Sequence, residues 1–371
     1  MTFLRPSYPF PGVRPLALAL LSACLFLPPA ARAEPMGARG DDFLYRVEPG
    51  DTLEQLARRY TLQAGHWPAL QRLNEVDDPY RLPIGKVLRI PLSLIPERPA
   101  TATAIHVTGQ VTADGRPVRP GDVLRAGQSL RSADGGTATL RLEDQSLLTL
   151  PPGTTLRLQR LQSFQGTGLT DTRLSIDRGT LESTVAPAGT GVGRFEVRTP
   201  ATVTGVRGTR LRVHADASGS RHEVLQGGAA IEGPGGTEQH LDPDRGAAYD
   251  ANGALLGTHP LLPPPPDPRI SRDGGQRLDF EPVPRAAAYI IRIALDADGA
   301  RLESSQRVAG PGAPLRARGG GPRYVFVRGI DALGIEGRDA VLAVDSLRIG
   351  LTAGDGSPVL AADGAPVMLG P

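Results

Sequence analysis

The side chains best suited to hold a metal or move a proton near neutral pH are six histidines, His66, His106, His214, His222, His240 and His259. They are scattered. No two stand at the spacing by which a helix presents paired metal ligands, and the single cysteine, Cys24, offers none of them a thiolate partner. Each therefore reads as a surface or strand residue. The carboxylate pairs Asp41-Asp42 and Asp77-Asp78 sit beside turns, where carboxylates satisfy backbone amides rather than share a catalytic proton. Gly205, Gly208 and Thr209 are residue types found in phosphate-cradling loops, but such a loop needs a lysine and a following helix to present its amides. Here the lysine is missing and strand-like runs lie on both sides, so Gly208 reads as a strand bend needing positive φ or close backbone packing. Neither a Cys-His peptidase pattern nor a zinc-amidase pattern is present. The expectation is a non-catalytic protein without cofactor or metal.

The elements around these residues divide the chain of 371. Residues 44–91 form one short unit, with strand-like ends "YRV" and "KVLRIP" around two helical segments. Asp51 or Thr52 caps the first helix, whose Leu53, Leu56, Ala57 and Tyr60 recur at three- and four-residue spacing. The second helix starts at about Ala64 or His66 and runs to Asn74, with Trp67 expected in the core. Residues 92–104 are proline-rich and without evident period, and read as a linker. Residues 105–250 break into short alternating runs such as "TATLRLED" and "TRLRVHA", which predict many strands with one buried face, as a β-sandwich or a β-solenoid-like roll. Residues 258–268 hold four consecutive prolines and read as a stiff polyproline spacer. Residues 269–346 are again strands and turns, with Tyr289, Ile291 and Ile293 on one face, and 347–371 form a weakly patterned tail. The fold class expected is mainly β, with one small βααβ unit.

Residues 1–33 carry Arg5 and Arg14 ahead of "LALALLSACLFL", then "ARA" before Glu34, the pattern of a cleavable signal peptide. "LSAC" also resembles a lipobox that would leave a lipidated Cys24, although the residues after it stay apolar. Without Arg5, Arg14 and Arg32 the chain has 38 basic against 39 acidic residues, a balance that argues against a nucleic-acid partner. No later segment is long and apolar enough to span a membrane. The expected location is the periplasm.

Tyr45, Val47, Gly50-Asp51-Thr52-Leu53, Leu56-Ala57, Tyr60, Leu70, Asn74, Leu82, Gly85, Leu88, Ile90 and Pro91 together resemble the lysin motif, or LysM domain. That resemblance implies a βααβ fold that binds N-acetylglucosamine-containing glycan, in bacteria mostly peptidoglycan. It places the groove between Gly50, Asp51, Thr52 and Leu53 on one loop and Asp78, Pro79, Tyr80, Arg81 and Leu82 on the other. Residues 105–232, through "PGDVLRAGQSLRSADGGTATLRLEDQSLLTLPPGTTLRL" and above all "TPATVTGVRGT", resemble the FecR domain of the bacterial periplasm. "FEPVPRAAAYIIRI" and "YVFVRGIDALGIEGRD" are similar to a fibronectin type III module.

These resemblances imply a peptidoglycan-binding envelope protein that presents a FecR-like β domain as scaffold or sensor, with another envelope protein as a further partner. The alternatives are a FecR-type signalling regulator and a peptidoglycan hydrolase.

Overall fold

Thr52 starts the first helix. Its backbone is extended, its Oγ1 accepts from the Gln55 amide, and helix α1 follows over Leu53–Thr61. Of the two residues able to cap this helix, Thr52 does so. A 3-10 turn at Ala64–His66 leads into α2, Trp67–Leu73, where Leu70 is the buried residue and Trp67 is only half-buried. The expectation of Trp67 in the core is thus corrected: at the first turn of a seven-residue helix its ring lies at the margin of the packed face. Asp42–Arg46 pairs antiparallel with Val87–Pro91, and Ala38–Arg39 adds a third strand. Phe43, Tyr45, Leu53, Leu56, Tyr60, Leu70, Leu88 and Ile90 are buried between this sheet and the helices.

The computed structural model describes residues 37–186, 192–206, 208–271, 276–315, 321–345, 349–350, 359–362 and 367–369. The leader expected over residues 1–33, Cys24 included, lies outside them, as does most of the 347–371 tail. In that tail Ile349–Gly350 pairs with Met368–Leu369. No helix among the described residues is long and apolar enough to cross a membrane.

Residues 92–104, read as a linker, are built into the fold. Glu97–Pro99 pairs with Gln162–Phe164, and Thr101–Thr108 pairs with both Thr137–Leu142 and Val123–Arg125. The reason lies in Ala102 and Ala104, which are fully buried. Methyl groups alternating with threonine make a genuine two-residue period, but one too weakly apolar to stand out beside the prolines.

From there to Pro260 the chain winds into two facing sheets. The first runs in the order Val123–Arg125, Thr101–Thr108, Thr137–Leu142, Leu147–Leu150, residues 179–184, Arg210–Asp216, Gly219–Gln226, Arg245–Asp250 and Leu255–Pro260. The second runs Arg116–Pro117, Val111–Ala113, Ser129–Ser132, Thr155–Phe164, residues 170–178, Val192–Arg198, Val203–Val206, Ala229–Glu232 and Glu238–Leu241. Thr170–Thr184 belongs to both, and Gly179 stands at the crossing. Its φ is +97°, and a Cβ there would lie 2.5 Å from the Thr154 Cα, so only glycine lets the strand pass. Inward leucines, valines and alanines such as Leu140, Leu158, Leu174, Val197, Leu211 and Val213 fill the space between the sheets. Gly208, at φ 56°, occupies the bend between two strands, as the sequence indicated.

The expected 258–268 spacer is likewise shorter than its composition suggested. His259 and Pro260 complete a strand, while Leu261 and Leu262 are buried. Beyond it, Arg269–Ser271, Arg277–Asp279 and Gly312–Pro314 form one sheet, and Leu302–Val308, Ala288–Ala294, Arg323–Ile330 and Ala340–Val344 form another. Tyr289, Ile291 and Ile293 pack with Leu278, Val325 and Val327 between them. The opposite face of the four-stranded sheet presents Arg292 and Arg328, which lie fully buried against the outer face of the roll.

Candidate functional site

The two loops expected to form the groove are joined by one backbone bond, from the Leu53 amide to the Pro79 carbonyl at 3.1 Å. Gly50 supplies the turn. Its φ is +89° and nothing lies within 4 Å of where a Cβ would stand, so the demand is for backbone conformation, not space. Asp51 then acts as a strut. Its Oδ2 accepts from the Tyr45 hydroxyl at 2.8 Å and the Glu48 amide at 2.7 Å, while its Oδ1 has no partner among the described residues. Burial, and after it the Asp51 carboxylate, push the Tyr45 phenol well above its ordinary pKa, so it remains a donor. Thr52 is engaged as helix cap.

On the facing loop Asp78 Oδ1 accepts from the Tyr80 amide at 2.9 Å, and the Asp78 carbonyl accepts from Arg81 at 3.2 Å. This tight turn leaves the Tyr80 side chain 71% exposed. Arg81 is exposed and Pro79 half-buried, whereas Leu82, expected among the contact residues, is buried and packs inward. Leu53 is 0% exposed and its amide is already spent on Pro79, so its side chain packs in the core rather than opening between the loops. That corrects its place among the expected contact residues: spacing assigns it equally to loop and helix, and the helix claims it. The sequence reading passed over Ile84, which is 69% exposed two residues after Leu82. An isoleucine flanked by Pro83 and Gly85 is the only signal that could have found it.

A second charged assembly lies where the C-terminal sandwich meets the roll. Glu182 accepts from Arg292 at 2.7 Å and from Arg328 at 2.5 Å, Arg212 reaches the Gly337 carbonyl at 2.8 Å and Asp339 at 3.1 Å, and Arg328 also meets Glu336 at 2.7 Å. Burial alone would raise the Glu182 carboxyl, but Arg292, Arg328 and Arg212 reverse it and hold it well below the carboxylate range. Glu223 is the exception. Burial and the neighbouring Glu336 carboxylate push it up to about 8. This cluster is structural: Arg212, Arg292 and Arg328 are fully buried between two sheets, and their carboxylate partners Glu182, Glu336 and Asp339 are mostly buried beside them.

The histidines fall where strands take them. His222 is enclosed by the hydroxyls of Thr202 and Thr204, each at 2.9 Å, and of Ser220 at 3.0 Å, and burial pulls it down to about 3. It is a neutral core residue with no route to a substrate. His214 bridges Thr180 Oγ1 at 2.9 Å and Asp216 at 3.2 Å, but Asp216 is committed to Ser218 and Arg221. No group of three or more metal-ligating side chains converges among the described residues.

With this geometry in view, two family models match the chain: the LysM domain over residues 45–91 and FecR protein over residues 128–230. The FecR match starts 23 residues later than the resemblance seen in the sequence, although the strands of the roll begin earlier still. Residues 45–91 thus match the LysM domain and residues 128–230 the FecR domain, a pairing that fits an envelope protein. The fold around them is mainly β. No curated protein matches the chain. Among solved structures, two crystal structures of a candidate anti-sigma factor from Parabacteroides distasonis ATCC 8503, at 1.65 Å and 2.50 Å, are similar. Identity is 18% and 17%, TM-score 0.30 and 0.29, and in both cases the match covers 36% of this chain and 59% of the other. The chain therefore spans less than two thirds of those proteins, and at these scores the likeness carries no functional inference.

Proposed function

We propose that this is a non-catalytic protein of the periplasm that binds the N-acetylglucosamine-containing strands of peptidoglycan through Gly50, Asp51, Thr52, Asp78, Pro79, Tyr80 and Arg81. The observation that supports it best is the pairing of a free carboxylate oxygen with an exposed aromatic. Asp51 Oδ1 is unpartnered on one loop, Tyr80 stands open on the other, and the Leu53–Pro79 bond holds the two loops together. A neutral sugar offers hydroxyl and acetamido groups to the first and a weakly apolar face to the second, so affinity arises from a few modest contacts.

In this reading residues 1–33 direct export, residues 105–250 form the FecR-like scaffold or sensor, and residues 269–346 form a fibronectin III-like sandwich. The three-plus-four strand order of the sandwich supports the last assignment. Sedimentation of the mature chain with purified peptidoglycan sacculi tests the reading. Binding that Tyr80→Ala weakens supports it, and absence of wild-type binding at millimolar glycan overturns it.

A further inference from the structure

The outer face of the roll's second sheet carries seven arginines, and they divide into two groups. Arg160, Arg173, Arg194 and Arg198 are neutralised by Glu97, Asp171, Asp41 and Glu196. Arg131, Arg157 and Arg178 are exposed and make no side-chain hydrogen bond or ion pair among the described residues. Arg131 and Arg178 occupy one cross-strand row. Thr155 is the direct partner of Arg131 on one side and of Arg178 on the other, and Thr112 extends the row beyond Arg131. Two strand spacings, roughly 9–10 Å, therefore separate the two arginine Cα atoms.

A depression of about 680 Å³ opens over this row, and Thr112, Arg131, Asp134, Gly153, Thr155 and Arg178 line it. Its chemistry is specific: two guanidinium forks, two free hydroxyls and one exposed carboxylate at Asp134. A phosphate would meet the arginines and be repelled by Asp134. A group with carboxylates and one ammonium satisfies all three charges, since planar forks take carboxylates in paired hydrogen bonds and Asp134 takes the ammonium.

We propose that this depression binds a zwitterionic, carboxylate-rich peptide, and that its source is the stem peptide of peptidoglycan, whose cross-linking residue presents a carboxylate beside an ammonium. The assignment of source rests on the wall-binding reading above. The site itself rests on the unpaired arginines and the depression between them.

The test measures binding of a soluble stem tetrapeptide, and separately of an N-acetylglucosamine oligomer, to the full mature chain by titration calorimetry. Arg131→Glu with Arg178→Glu should weaken the peptide at least tenfold and leave the sugar unchanged, while Tyr80→Ala should do the reverse. Arg125→Glu with Arg141→Glu changes charge equally on exposed residues of the first sheet, and should leave peptide binding intact. Equal loss in that control, no loss in the Arg131/Arg178 variant, or no wild-type peptide binding at millimolar concentration overturns the site. A uniformly acidic peptide that binds as tightly overturns the zwitterionic assignment. Sugar binding lost while peptide binding persists overturns the wall-binding reading and leaves the site standing. Circular dichroism of each variant establishes that it is folded.

Discussion

Glu182, on a strand of the FecR-like roll, accepts from the Arg292 guanidinium of the C-terminal sandwich at 2.7 Å, with the arginine fully buried and the carboxylate mostly so. A buried ion pair contributes little net stability while intact but costs heavily when one partner is removed, because the other charge is stranded. Glu182→Ala strands Arg292, whose ion pair among the described residues is with Glu182, while Arg328 keeps Glu336 and Asp339. Loss of about 3–5 kcal/mol is expected, read as a lower urea midpoint and as faster amide exchange in Ala288–Ala294 and Arg323–Ile330. Unchanged exchange in those strands would show that the sandwich is held by other contacts.

The same interface should respond to pH through Glu223. Its folded pKa is raised to about 8 from 4.5, so its contribution is fully favourable below 4.5 and is lost as pH climbs to 8. Glu182 and Asp339 are shifted the other way by the arginines, so their contribution is present at neutral pH and fades as pH falls below the ordinary carboxylate range. Thermal stability should therefore peak at mildly acidic pH and decline toward pH 8. Glu223→Gln removes the titrating proton and should flatten the alkaline side of the profile while leaving the acid side as it was.

Tyr80 and Asp51 should separate ligand contact from scaffolding. Tyr80 is exposed and its side chain makes no hydrogen bond among the described residues, so Tyr80→Ala should change stability by less than about 0.5 kcal/mol yet weaken glycan binding by about 1–2 kcal/mol. Asp51→Ala removes the acceptor of Tyr45 and Glu48 and should lower stability by about 1–2 kcal/mol as well as binding. Equal melting temperatures for the two variants would contradict the strut role of Asp51.

Residues 92–104 should resist proteolysis and exchange slowly. The Ala104 amide donates to the Asp122 carbonyl at 2.9 Å and the Ala100 amide to Leu161 at 3.0 Å, inside a roll whose core includes both alanines. First cuts between Leu92 and Ala104 in limited proteolysis would restore the linker that composition alone suggested.

What the sequence determined by itself is local. Three- and four-residue spacing of Leu53, Leu56, Ala57 and Tyr60 sets the first helix, alternating runs set the strands, and the loop residues 50–53 and 78–82 are singled out by the resemblance to the lysin motif. Even there the tertiary structure had the last word, since Leu53 belongs to both a loop motif and a helix face, and only packing assigns it to the core. The union of the C-terminal sandwich with the roll was not legible at all. Glu182, Arg212, Arg292 and Arg328 sit at the outward positions of alternating strands, where polar residues normally meet water, and nothing in a one-dimensional pattern tells a solvated arginine from one buried under another sheet. Arg131 and Arg178 pose the same problem. They lie 47 positions apart in the chain, and only the register through Thr155 brings them into one row. Strand pairing is decided by the burial of the whole roll, a sum over many contacts distant in sequence, and that is why the partners of these charges appear only once the chain has folded.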